Sequence, residues 1–108
     1  MNVLFVCGRN KMRSPTAESI FGGYAGVDAL SAGTSPDAEN PISAELIEWS
    51  DLIFAMEAKH RRHLNEKFGP LLRTRRIIVL DIPDKFQFMQ PELVQLLKKK
   101  VSRFLPKT

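Results

Sequence analysis

The sequence contains one cysteine, Cys7, among its 108 residues, so an intramolecular disulfide is excluded. No apolar run approaches the roughly 20 residues that a membrane-spanning helix needs. The N-terminus also lacks the basic region and the small-residue cleavage site that are typical of a signal peptide. The length predicts one domain over residues 1–108, and these absences predict a cytoplasmic location and no membrane partner. The lone thiol is then a packing residue, a ligand or a nucleophile.

Glycine-rich nucleotide-binding loops are absent too, because neither G-x-x-x-x-G-K-[ST] nor G-x-G-x-x-G occurs. Basic residues are scarce in the first 56 residues, which hold three of them against seven acidic ones, whereas the remainder holds thirteen against five. A basic half attracts acidic partners, nucleic acid included. No nucleic-acid-binding motif accompanies it, so nucleic acid is not a predicted partner and a solvated basic surface is the simpler interpretation.

Short apolar runs alternate with stretches whose apolar residues recur at helical spacing, which predicts the order β-α-β-α-β-α-β-α. This order is typical of an α/β fold of three layers, a four-stranded parallel sheet with helices on both faces. Ser14 is the predicted N-cap of the first helix, with Pro15 at its first position, and the second helix is predicted to begin at 40–41. The predicted strands are 3–6, 27–31, 52–55 and 77–80, and the later helices are 57–68 and 91–104.

Ligands of such sheets bind beyond the carboxyl ends of the strands. The loops after Val6, Ser31, Ala55 and Leu80 are therefore predicted to form the functional edge.

The segment after the first strand carries the strongest chemical signal, because Cys7 and Arg13 bracket five residues between a strand and a helix start. A loop wound around a centre points successive N–H groups inward, and the helix behind it adds the positive end of its dipole. Arg13 offers a planar fork to two phosphate oxygens. The same positive potential stabilises the Cys7 thiolate. An oxyanion site and a nucleophile are thus predicted in one place.

These residues resemble a known family. Residues 4–18, LFVCGRNKMRSPTAE, look like the opening of low-molecular-weight protein tyrosine phosphatases. Shorter matches follow in order at 31–34 (SAGT) and 50–57 (SDLIFAME), and IPDKF at 82–86 is similar to the family's Asp-Pro-Tyr general-acid loop. The resemblance runs along nearly the whole chain and implies a phosphatase loop between the first strand and the first helix.

By this resemblance, Cys7 is the nucleophile, Arg13 the phosphate clamp and Asp84 the general acid. Asn10 would hold the loop shape, and Ser14 would hydrogen-bond the thiolate. The implied substrate-binding residues are Gly8, Arg9, Asn10, Lys11, Met12 and Ser14.

The chain also departs from the family pattern. Arg9 stands where the family has a glycine, Met12 where it often has a second cysteine, and Lys85-Phe86 where it has Pro-Tyr. The stretch 34–49 is shorter than usual, which predicts a missing helix and a more open site. The chain therefore resembles a compact variant of the family.

The expected function is a phosphomonoesterase, by resemblance a protein tyrosine phosphatase, that forms a phosphocysteine on a phosphorylated protein or a small aryl phosphate. No metal or cofactor is predicted, since Arg13 and the backbone supply the positive charge. Three alternatives stay open: an arsenate reductase coupled to an external thiol, a phosphate- or phosphopeptide-binding module without turnover, and a sugar-transport phosphocarrier. Arg13 and Asp84 argue against the carrier, which should not hydrolyse its own intermediate.

Several other residues are weaker candidates. Asp81 is the rival general acid, although Asp84 is favoured because it lies in the loop after Pro83. His60 and His63 lack further metal ligands and are predicted to lie on the surface. The remaining candidates are Trp49, as core or cleft wall; Phe86 and Phe88, as flanks of an aromatic substrate or as packing; and Met56 and Glu57, as a turn between strand and helix.

Overall fold

The computed structural model describes residues 1–106, and within them lie four strands and four α-helices. The strands are β1 (Asn2–Cys7), β2 (Asp28–Gly33), β3 (Leu52–Ala55) and β4 (Arg76–Val79). The helices are α1 (Arg13–Phe21), α2 (Ala44–Trp49), α3 (Ala58–Phe68) and α4 (Pro91–Val101), and short 3₁₀ turns follow α3 and α4. All strand pairs are parallel, in the order β2-β1-β3-β4. The predicted three-layer α/β fold is confirmed.

Strand β1 lies inside the sheet between β2 and β3, which explains why its sequence is apolar without interruption. Phe5 points to the face covered by α1 and α4, where its ring stacks on Phe54 at 5.3 Å and on Phe21 at 5.6 Å between centroids. Leu4 and Val6 point to the opposite face, which α2 and α3 cover. Two hydrophobic layers thus hold the strand whose end carries Cys7.

The predicted start of α1 was wrong. The helix begins at Arg13, with Met12 as N-cap and no side-chain cap. The Ser14 hydroxyl does not cap it, because this oxygen lies 2.8 Å from the Cys7 sulfur and accepts a hydrogen bond from Asn10.

The predicted start of α2 was also wrong, since Ser43 caps this helix through a bond from the Leu46 N–H. The residues around Pro41 extend the edge of β2 instead. The Gly33 N–H donates to the Asn40 carbonyl at 2.9 Å, and the Ile42 N–H donates to the Gly33 carbonyl at 2.8 Å. Backbone groups paired in this way are not available to a helix.

The other boundaries moved by a few residues. Strand β2 continues past Ser31 to Gly33, because Ala32 and Gly33 also pair with β1. Strand β4 spans 76–79 rather than 77–80. Helix α4 ends at Val101, with 102–104 in a 3₁₀ turn. No helix in the described part of the chain is long and apolar enough to cross a membrane.

Gly33 holds β2 against the loop that follows β1. A Cβ at this position would stand 2.5 Å from the Gly8 carbonyl oxygen and 2.5 Å from the Ala38 Cβ, closer than real Cβ contacts allow. A glycine here lets the two segments approach without a side chain between them.

Gly33→Ala is expected to lower the free energy of unfolding by about 1–3 kcal/mol, because the methyl group displaces backbone. Urea unfolding measures the change. Gly23→Ala is the matched control, since nothing lies within 4 Å of the added methyl group there. Equal effects of the two substitutions would contradict the close approach at Gly33.

Candidate active site

The loop between β1 and α1 places hydrogen-bond donors around the Cys7 sulfur. The Asn10 backbone adopts a left-handed conformation, φ 59°, which asparagine tolerates better than most residues. Its N–H donates to Cys7 Sγ at 3.3 Å, and its side-chain amide donates to Ser14 Oγ at 3.0 Å. Since that oxygen accepts from Asn10, the Ser14 hydroxyl proton is free to point at the sulfur, 2.8 Å away. Two donors facing one buried sulfur suit a thiolate.

Arg13 lies at the first position of α1 and is 3% exposed. Its Nη1 donates to Glu57 Oε2 and to the Ile82 carbonyl, each at 2.7 Å. Its Nε lies 3.7 Å from Asp84 Oδ1, whose side chain is 68% exposed. The buried cation is therefore paired and hydrogen-bonded, as burial of a charge requires.

Glu57 follows β3 and acts as the anionic partner of Arg13. Partial burial raises the pKa of this carboxyl, but the hydrogen bond and the charge of Arg13, helped by Lys59, lower the pKa further than burial raises it. Glu57 is therefore ionised near neutral pH.

The sequence predicts His60 on the surface, but this prediction was wrong, because the residue is only 2% exposed. Its Nδ1 accepts the Glu57 N–H at 3.0 Å, while the Glu57 side chain caps the same helix end, and this capping box draws the ring inward. Burial and the positive charge of Arg13 lower the pKa of His60 to about 4. The ring is therefore neutral at pH 7, with its proton on Nε2.

A cleft of about 550 Å³ opens over the sulfur at the carboxyl edge of the sheet. Residues that follow each of the four strands line this cleft, so the loops after the strands lie together at one edge of the sheet. The loop after β1 lines the cleft with Cys7, Gly8, Arg9, Lys11, Met12 and Arg13. Other segments contribute Thr34, Lys59, His60, His63 and Asp84. The segment 34–43 contains no helix, and its contribution to the cleft wall is Thr34.

The structure separates the two candidate acids. Asp84 lines the cleft with Cys7, whereas Asp81 lines a different surface depression together with Ala58 and Arg62. Asn10 and Ser14 are buried behind the sulfur and do not line the cleft.

The aromatic candidates are not brought to the cleft. Trp49 and Phe86 pack against the two hydrophobic layers, and Phe88 is exposed elsewhere. Trp49 is half-buried at the margin of the core, so of its two predicted positions it is closer to core than to cleft wall. Within residues 1–106, no group of three or more His, Cys, Asp or Glu side chains is arranged to hold a metal ion.

Sequence reasoning missed Glu57 and His60. The sequence analysis predicts only a turn at Glu57, although its position two residues after the end of β3 puts it at the carboxyl edge where ligands bind. His60 carries no comparable sequence signal, because its burial depends on the capping box at the start of α3.

Known proteins share this fold and parts of this sequence. No protein-family model matches the chain. A curated protein-arginine-phosphatase of Bacillus subtilis (strain 168) is 30% identical over 96 residues, a match that covers 64% of the relative. The chain thus matches less than two thirds of that relative's length.

Solved structures agree more extensively in fold. The YwlE arginine phosphatase from Geobacillus stearothermophilus has a TM-score of 0.75 and 22% identity, over 95% of this chain and 92% of that one. The low molecular weight protein tyrosine phosphatase from T. tengcongensis has a TM-score of 0.71 and 22% identity, over 97% and 99%. The chain has the fold of the low-molecular-weight protein tyrosine phosphatases. Another fold neighbour is the tyrosine phosphatase Wzb from Escherichia coli K30 in complex with phosphate, with a TM-score of 0.75 and 18% identity over 95% and 94%.

The buried, neutral His60 makes the stability of this protein depend on pH. The unfolded chain binds a proton at His60 near pH 6.5, whereas the folded protein binds it only near pH 4. The His60 contribution is therefore complete above pH 6.5 and is lost as the pH falls toward 4, by up to about 3 kcal/mol.

Urea unfolding of wild type and His60→Asn at several pH values between 7 and 4 measures this contribution. Asn keeps an acceptor for the Glu57 N–H but does not titrate. As the pH falls from 7 to 4, the free energy of unfolding of wild type is expected to decrease more than that of His60→Asn. The variant lacks the titrating histidine, and the two proteins share all other titrating groups. A difference that stays constant across this range would show that His60 is not held neutral.

Proposed function

We propose that this protein is a cysteine-dependent phosphomonoesterase that works through a phosphocysteine intermediate. The observation that carries the proposal is the sulfur of Cys7, which lines an open cleft together with the buried Arg13 and lies within hydrogen-bond distance of the Asn10 N–H and the Ser14 hydroxyl. A buried thiol that was only a packing residue would not need these donors. The similarity in sequence to a curated protein-arginine-phosphatase and in fold to a low molecular weight protein tyrosine phosphatase supports the same function.

In the first step, Cys7 Sγ attacks phosphorus and the bond from phosphorus to the leaving oxygen breaks. Arg13 and the loop amides carry the charge on the equatorial oxygens. Asp84 donates a proton to the leaving oxygen. In the second step, water attacks the phosphocysteine and gives its proton to Asp84, releasing inorganic phosphate and the thiolate.

Asp84 is the proposed acid because it is the carboxyl that shares the cleft with Cys7. Its high exposure lets it approach a leaving group and exchange its proton with solvent. Its neighbour Lys85 stands where the family has proline, so the proposal rests on position rather than on the complete motif.

Cys7→Ser is expected to abolish hydrolysis of p-nitrophenyl phosphate in the presence of EDTA, because a serine hydroxyl is a far weaker nucleophile than a thiolate. Phosphate release from wild type and variant is the measurement. A binding module without turnover would show no hydrolysis by wild type while still binding a phosphopeptide. Full activity of Cys7→Ser would exclude the phosphocysteine.

Asp84→Asn is expected to reduce kcat by about 10²–10⁴-fold on phenyl phosphate, whose leaving group needs the proton. The loss should be smaller on p-nitrophenyl phosphate, whose leaving group is more acidic. Asp81→Asn is the matched control and should keep most of the activity. A larger loss from Asp81→Asn than from Asp84→Asn would reverse the assignment.

We propose phosphotyrosine in proteins as the substrate, with phosphoarginine as the second candidate because the curated relative is a protein-arginine-phosphatase. Arg9, Lys11 and Lys59 are exposed cations at the cleft. They disfavour a substrate whose own guanidinium adjoins the phosphorus, and they suit an aryl ester flanked by acidic residues.

Two peptides of the same acidic sequence, one with phosphotyrosine and one with phosphoarginine, test this choice through kcat/KM. We expect the phosphotyrosine peptide to be the better substrate. A higher kcat/KM for the phosphoarginine peptide would contradict this choice and assign phosphoarginine as the substrate. Arsenate reduction would instead require arsenite formation that depends on an added thiol, because the sequence has no second cysteine.

A further inference from the structure

The ring of His60 carries a buried polar atom with no hydrogen-bond partner. Its Nε2 is the one such side-chain atom found within residues 1–106. A buried N–H without an acceptor costs free energy, so a native structure that keeps one needs an explanation. The other ring nitrogen, Nδ1, is fully used by the Glu57 N–H.

The unpartnered Nε2 faces the phosphatase loop. A Cβ at Gly8 would stand 3.8 Å from this nitrogen, and nothing else lies within 4 Å of that position. Gly8 directly follows Cys7, and both residues line the cleft together with His60. Because residue 8 has no side chain, the imidazole ring forms that part of the cleft wall.

The protonation state of the ring suits an oxyanion. Nδ1 accepts a hydrogen bond, so the proton of the neutral ring is on Nε2. A neutral donor can bind a phosphoryl oxygen without placing a second cation beside the buried Arg13. Burial and the nearby Arg13 charge keep the pKa of His60 at about 4, which maintains this state at pH 7.

We propose that His60 is a substrate-binding residue whose Nε2–H donates a hydrogen bond to an oxygen of the phosphoryl group held by the loop. This inference rests on the proposed phosphatase function. It gives helix α3 a direct role in binding, because His60 adds a donor from α3 to those of the loop and of Arg13. The histidine thereby combines two roles, helix capping through Nδ1 and oxyanion binding through Nε2.

Two substitutions separate these roles. His60→Asn places an acceptor near Nδ1 but removes the donor at Nε2, whereas His60→Gln places an amide donor near Nε2 but loses the acceptor. We expect His60→Asn to weaken binding of inorganic phosphate about tenfold, with Tm close to that of wild type. His60→Gln should keep most of the phosphate affinity with a lower Tm. A merely structural histidine predicts the opposite order of affinities.

The measurements are calorimetric titration with inorganic phosphate, and NMR of the His60 ring in the wild-type protein. Glu66→Gln, an exposed position of the same helix outside the cleft, is the control in the titration, and the phosphate-free spectrum is the reference. Phosphate is expected to shift the Nε2–H resonance of His60 downfield and to slow its exchange with water.

The outcomes separate this inference from the proposed function. If wild type does not bind phosphate, the proposed oxyanion site does not exist, and both the phosphatase proposal and the role of His60 are overturned. If wild type binds phosphate while the His60 resonance is unchanged and both variants bind equally well, the phosphatase proposal stands and the role of His60 is overturned.

Discussion

A buried guanidinium constrains the candidate site of this protein. Arg13 lies at the start of α1 with almost no exposure, so its charge needs partners from within the fold. They come from Glu57 after β3 and from the Ile82 carbonyl after β4, residues 44 and 69 positions away along the chain. The pairing ties the loop after β1 to the far half of the sheet. One side chain thus connects the loop after β1 to two distant segments that border the cleft.

A second network organises the sulfur. Asn10, in a left-handed conformation, donates one hydrogen bond from its backbone to Cys7 and one from its side chain to Ser14, which orients the serine hydroxyl toward the same sulfur. Asn10 and Ser14 stay buried, so they act on the nucleophile without forming the cleft wall. The exposed cations Arg9, Lys11 and Lys59 form part of that wall.

Much of this could be predicted because the relevant physics is local. The apolar runs, the helical spacing and the five residues between Cys7 and Arg13 are properties of short segments, and they correctly predicted the parallel sheet and the edge where Asp84 lies. The predicted cap at Ser14 failed because its hydroxyl has a partner in the cysteine. The predicted start of α2 near Pro41 failed because those residues pair with β2.

The pairing of Glu57 with Arg13 and the position of the His60 ring beside Gly8 are contacts between segments that lie far apart in the sequence. The sequence alone determined the strand order along the chain, the lone thiol and the spacing of cysteine and arginine, since each of these is written in adjacent residues. The tertiary structure decided which carboxylate neutralises Arg13, which aspartate shares the cleft and which histidine is buried and neutral. These depend on distances between chain segments and on exclusion of water, and both arise only when the helices pack on the sheet.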